Sequence, residues 1–310
     1  AGGVDALAGN AISVGGTVNT TGTAMDFGDV SLNAASTFDT NNAAAGTMVI
    51  GAVTTGAFQL TLDSGSTAGA TMDIGAIADA TGGVIIRNAG GLATIASVGS
   101  GAGTLQVVDS QAGVTFTGVV NVGTVDLDDT TGTIEFSDNL TAATLTTAAT
   151  AFDLSLLGAA TNITNDTSFI NTGALTLGDG GDTLTFAGGV DALAGNAISV
   201  GGTVNTTGTA MDFGDITLTA ASTFDTNNAA AGTMVIGAVT TGANQLTLDS
   251  GSTAGATMDI GAIDDATGGV IIRNAGGLAT IASVGGAAGT LQVVDSQAGV
   301  TFTGVVDVGI

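Results

Sequence analysis

The chain has 310 residues, 52 of them Gly, with no Pro, Cys, His, Trp or Tyr, and carries a net charge of −25 from 27 acidic residues and two Arg. Without His or Cys, the common zinc, haem and iron–sulfur ligand sets, the Ser–His–Asp and Cys–His nucleophile systems and disulfide stapling are all excluded. Two Arg cannot build the basic surface that nucleic acid requires, and no run of about 18 apolar residues predicts a membrane span.

Taken in chain order, short apolar phrases recur. TAMDFGDV starts at Thr23, TMVIGAV at Thr47, TMDIGAI at Thr71, TIASVG at Thr94, TFTGVV at Thr115 and TIEFSD at Thr133, with steps of 24, 24, 23, 21 and 18 residues. A second segment falls between them: FQLTLD (58–63), GVIIRN (83–88), TLQVVD (104–109) and TVDLDD (124–129). Each is about five residues long and alternates apolar with polar, which is the period of a strand. Gly, Asn, Ser, Asp and Thr clusters separate the segments, as turns require. Glu occurs once and Lys never, whereas Gly, Thr and Val are everywhere, so helix is disfavoured. Hydrophobic residues make up 44% of the chain and mean hydropathy is +0.53, which argues against disorder.

At residue 187 the sequence begins again. Residues 1–124 align without a gap on 187–310, and nine positions differ: Val30/Ile216, Ser31/Thr217, Asn33/Thr219, Phe58/Asn244, Ala78/Asp264, Ser100/Gly286, Gly101/Ala287, Asn121/Asp307 and Thr124/Ile310. The chain therefore reads as a first tandem unit, 1–186, and a partial second unit, 187–310. The expectation is one continuous solenoid cut from a longer array, because neither end carries an atypical capping segment.

A two-segment period of about 18–26 residues predicts an all-β fold, a parallel β-solenoid or β-helix in which each period is one coil. Eight or nine coils are expected per unit. The usual hand of parallel crossovers predicts a right-handed winding. Pro would delete a ladder donor, and Gly supplies corners of positive φ, so both extremes of composition fit. Stacking at about 4.8 Å gives an expected rise near 40 Å per unit.

The phrases TFTGVVNVGTVDLDDTTGTIEFSDNLTAATLTT (115–147) resemble passenger segments of autotransporter and filamentous-haemagglutinin-like proteins, and the whole chain is similar in style to secreted bacterial β-strand-repeat surface proteins. The resemblance implies an extracellular or cell-surface β-solenoid with a structural or adhesive role. It carries over no functional residue. Near-identity of the long units departs from typical passengers and points to a fibre or stalk.

Two acidic groups are candidate Ca²⁺ ligands, since hard oxygen donors suit that ion. Asp179 and Asp182 lie in GDGGDTLTF (178–186), which matches part of a calcium-binding nonapeptide but has Leu177 where its first Gly belongs. Asp126, Asp128 and Asp129 form the other group. The alternatives are a Gly-rich corner with exposed Asp for the first and a solvated acidic edge for the second. A 24-residue offset sets Arg87 over Asp63 and Arg273 over Asp249, predicting coil-to-coil ion pairs worth about 0–1 kcal/mol. Asn19, Asn139, Asn162, Asn165 and Asn205 stand in Asn-X-Ser/Thr sequons. The Thr at coil starts are expected to stack and shield a corner; an ice-binding array fits less well, because outward Thr-X-Thr is irregular.

No catalytic constellation is present, so a non-enzymatic structural role is expected. Partners would be identical chains or further repeats, joined end to end and side by side, with apolar stripes at Ile85 and Val108. The alternative is the shaft of an adhesin whose binding head lies elsewhere.

Overall fold

In a computed structural model the chain is all-β and 2% helical, and its parallel strands stack into a β-solenoid of about 14 turns. The structure describes residues 3–309 apart from 8, 10, 11, 44, 100, 130, 194, 196, 287 and 288. Two compact bodies are distinguished, Ala1–Ser155 and Leu156–Ile310.

In the first body each coil contributes to three parallel ladders. Ladder 1 runs from Val4–Ala6 through Met25–Phe27, Met48–Ile50, the start of Met72–Ala78, the start of Ala93–Gly99 and Val114–Phe116 to Thr133–Phe136. Ladder 2 joins Ile12, Val30, Val53, Ile77, Val98, Val120 and Leu140. Ladder 3 joins Ser36, Leu60, Val84, Leu105, Val125 and Leu145. Successive coils are offset by as few as 18 residues, Ile12 to Val30, and as many as 24, Met48 to Met72. The second body repeats the register, with Met211, Met234, Met258, Ala279 and Val300 stacked as are Met25, Met48, Met72, Ala93 and Val114.

Three ladders per coil replace the two segments read from the sequence. The missed one is short. Its strand in the third coil is Val53–Thr54 alone, and elsewhere it is fused to a neighbour, as in Met72–Ala78, which serves ladders 1 and 2 in one run. The Thr mark is also not one column. Thr47 and Thr71 precede their strands, whereas Thr94 lies inside its strand opposite Asp73.

Alternation places every second residue inside. All six Met are buried, in two stacks of three. Their unbranched side chains suit a narrow interior of uneven width. Most Phe are also inside, and pair between strands: Phe27 meets Phe38 edge-on at 5.5 Å, and Phe116 stacks on Phe136 at 4.8 Å. Burying one such side chain stabilises by roughly 1.5–3 kcal/mol.

Corners are built by small and Asx residues. Asn41, Asn42 and Asp79 adopt positive φ, as do their counterparts Asn227, Asn228 and Asp265. Asx residues tolerate this region better than other side-chain-bearing residues. A buried hydroxyl then closes the turn from ladder 3 to ladder 1. Thr20 donates to Thr23 O at 2.6 Å, Thr40 to Gly46 O at 2.7 Å and Ser64 to Ala70 O at 2.8 Å. Thr206, Thr226 and Ser250 repeat the device.

Candidate functional site

The acidic residues group by ladder. On ladder 1 the residues between inward positions include Asp5, Asp26, Asp73 and Glu135. Asp26 Oδ1 and its counterpart Asp212 Oδ1 are buried without a hydrogen-bond partner. Burial raises the pKa of Asp212, and the charge of Asp191, opposite it in the preceding coil, raises it further.

At the end of ladder 3 an Asx column forms. Asn19 donates to Asp39 Oδ2 at 3.3 Å, Asp39 lies opposite Asp63, and Asn88 donates to Asp63 Oδ1 at 2.9 Å. Each Asp also accepts a backbone N–H two residues on, from Asn41 at 2.6 Å and Gly65 at 2.9 Å. Asn42 Oδ1, on the adjoining corner, accepts from Ser66 N at 2.7 Å and Thr67 Oγ1 at 2.9 Å. Asp39, Asn41, Asn42, Asp63, Ser66 and Asn88 line a cleft of about 190 Å³, and Asp225, Asn227, Asn228, Asp249, Ser252 and Asn274 build its twin in the second body. Burial raises the pKa of Asp225, opposed by the N–H of Asn227; Asp249 raises it and Arg273 lowers it.

This column corrects the expected Asp–Arg pairing. The register shifts by one residue after Leu62, so Asp63 faces Asn88 and not Arg87. Arg87 is left exposed at the bulge. The same shift after Leu248 sets Asp249 opposite Asn274. A bulged strand carries one extra residue against its partner, which an offset counted in the sequence cannot reveal.

The triplet Asp126, Asp128 and Asp129, at and just past the end of the strand Val120–Leu127, divides between the two sides of the chain. Gln106 Nε2 holds Asp126 Oδ2 at 3.2 Å and Asp128 Oδ2 at 3.0 Å, and Thr146 Oγ1 donates to Asp126 Oδ1 at 2.7 Å. Asp129 points inward and is fully buried, accepting from Ser110 N at 2.7 Å and from Ser110 Oγ. It is therefore no part of a solvated edge. Alternation continued from Val125 and Leu127 carries the signal that places it inside. In GDGGDTLTF, Asp182 is buried and accepts from Asp179 N at 2.7 Å, while the Asp179 side chain is exposed. The two residues form a local turn, in which Asp179 is exposed as a corner residue and Asp182 is turned inward, against the expectation of exposed Asp. Among the described residues no group of three or more acidic side chains is arranged to hold a metal ion.

Of the sequon residues, Asn19, Asn162 and Asn165 are exposed, and Asn139 and Asn205 are half-buried. Outward Thr stack only briefly on ladder 1, at Thr94 and Thr115, before Asp73 on one side and Glu135 on the other. Ile85 lies between Thr61 and Gln106, so no continuous apolar stripe forms there. Among the described residues no helix is long and apolar enough to cross a membrane.

Compared with protein-family models, curated proteins and solved structures, the chain matches none.

Proposed function

We propose that the chain is structural material of the cell exterior: a stretch of tandem-repeat β-solenoid that serves as fibre, stalk or surface layer, without enzymatic activity. One observation carries the reading. Residues 187–310 rebuild the coils of 1–124 in the same ladder register, from the Met stacks to the Asx clefts. Repeats of this kind contact their neighbours and add length, so copying a unit extends a solenoid without requiring a new fold. A single catalytic centre gains nothing from having its whole scaffold copied.

Placement outside the cell rests on the resemblance to secreted strand-repeat proteins. The shaft of an adhesin with a distant binding head is the alternative for the same coils.

Electron microscopy of native material tests the reading. Fibres of uniform width with an axial repeat near 40 Å are expected, from eight or nine coils at about 4.8 Å each. Compact particles without a repeat would overturn it. Protease treatment of intact cells, followed by immunoblotting for the chain, checks the location; a signal lost only after lysis would sink the surface assignment.

A further inference from the structure

Glycine turns the corner from Leu175–Leu177 on ladder 2 to Thr183–Phe186 on ladder 3. Gly178, Gly180 and Gly181 adopt φ of 75°, 132° and 83°, a region that residues with side chains rarely enter. Asp179 stands among them with its side chain exposed. Asp179–Gly180 is the one Asp–Gly bond in the chain, and no Asn precedes a Gly. The backbone at position 180 thus requires the residue that shields the amide nitrogen after an Asp least.

An Asp carboxyl and the amide nitrogen that follows it close into a ring when neither is held elsewhere. Among the described residues the Gly180 N–H donates no hydrogen bond and the Asp179 carboxylate accepts none, while Asp179 N donates to Asp182 Oδ2 at 2.7 Å. The next smallest residue after an Asp, apart from Ala, is Ser, and at three Asp–Ser bonds the nitrogen is engaged. Ser64 N donates to Asn88 O at 3.0 Å, Ser250 N to Asn274 O at 3.1 Å and Ser110 N to Asp129 Oδ1 at 2.7 Å. Asp295, before Ser296, is exposed, but there a serine Cβ crowds the attacking nitrogen.

We infer that Asp179 is a modification site at which the folded chain converts aspartate to isoaspartate through a cyclic imide. The Gly180 nitrogen attacks Cγ of Asp179. The N–Cγ bond forms, the Cγ–OH bond breaks, and the hydroxyl leaves with the amide proton as water. Water then opens the ring. Attack at Cγ restores Asp179; attack at the main-chain carbonyl breaks its bond to nitrogen, routes the chain through the side chain and frees the α-carboxylate. The main chain gains one methylene between strands whose register the neighbouring coils fix. Inward there is no room, since a Cβ on Gly178 would fall 2.0 Å from Gly201 O; outward, one on Gly181 would meet nothing within 4 Å. The corner therefore takes up the added atom outward, and the ladders keep their register. This chemistry needs no partner and is independent of the structural role proposed above.

The test is to age the folded 310-residue chain in warm heavy-oxygen water, beside a sample kept unfolded in denaturant. Each ring opening leaves one heavy oxygen in a carboxylate. Electron-transfer mass spectrometry of the digested chain locates that label and distinguishes isoaspartate from aspartate. In the folded sample both are expected at Asp179 several-fold sooner than at Asp295. At Asp63, Asp109 and Asp249 they are expected only in the unfolded sample. Asp179→Glu keeps the charge but must close a larger ring, and should abolish the signal at that position. An Asp179 that stays unmodified in the folded chain overturns the inference, whether or not the unfolded chain reacts there. So does isoaspartate that forms no sooner at Asp179 than at Asp295, since the corner would then confer no reactivity.

Discussion

A hydroxyl buried at a coil corner finds its acceptor inside the protein, and the acceptor depends on it in return. Thr40 is fully buried and donates to Gly46 O at 2.7 Å, fastening both ends of a loop that no ladder bond holds. Thr40→Val keeps the shape and removes the donor, leaving the carbonyl unsatisfied at a cost of about 1–3 kcal/mol. Urea unfolding should show that loss, and Thr40→Ser should recover most of it; equal loss in both variants would mean that the methyl group matters and not the hydrogen bond. Asp212 makes the complementary case, a carboxylate whose folded pKa lies above its value of 3.8 in the unfolded chain because of burial and Asp191. Its uncharged form suits the fold better. Its contribution is therefore complete below the unfolded value and is lost as pH rises through the folded one. Thermal melts from neutral pH down to about pH 4 should show a gain on the acid side, and Asp212→Asn should melt higher at neutral pH with a smaller acid gain. A variant as pH-sensitive as the parent would remove Asp212 from the account.

Between coils, clearance decides which residues a strand or its connection accepts. A Cβ on Gly103 would fall 1.7 Å from Ala80 O of the coil before it, while one on Gly99 would meet nothing within 4 Å. Neither has a positive φ, so only the contact differs. Gly103→Ala is expected to lower the midpoint of thermal unfolding sharply and Gly99→Ala to leave it nearly unchanged; similar effects would show that the coils can slide apart to make room. The coil period was legible in the sequence because one face of every strand is buried and must alternate. Strand sharing hid the third ladder: the phrase TMDIGAI serves ladders 1 and 2 in one run, and only Gly75 marks the step from inward Ile74 to inward Ile77. Among the acidic positions, the outward placement of Asp126 and Asp128 followed from alternation, and so did the buried Asp129, had the count been carried two residues further. The partner of Asp63 was not legible. A one-residue bulge in Val84–Asn88 exchanges Arg87 for Asn88, and nothing in that strand's composition announces it.

For the molecule as a whole, the scarcity of basic residues turns trypsin into a local probe. It has two targets, Arg87 and Arg273, at equivalent positions in the two bodies. Their cover differs. The strand of Arg87, Val84–Asn88, pairs on one side with Leu60–Asp63 and on the other with Thr104–Val107, where Leu105 and Val107 are fully buried beneath the next coil. The strand of Arg273, Val270–Asn274, pairs with Leu246–Asp249 and with Leu291–Val293, where Leu291 is half-buried and Val293 is 44% exposed. Cleavage requires the scissile segment to leave its ladder, and the free energy of that local opening falls where buried contacts are fewer. When opening and closing are fast relative to cutting, the rate follows the population of the open form. Limited digestion of the 310-residue chain should therefore release a fragment ending at Arg273 first, and a fragment ending at Arg87 only later or in denaturant. Mass spectrometry of the time course distinguishes the two products directly. Equal rates at both sites would show that the thinner cover over Arg273 costs the second body no local stability.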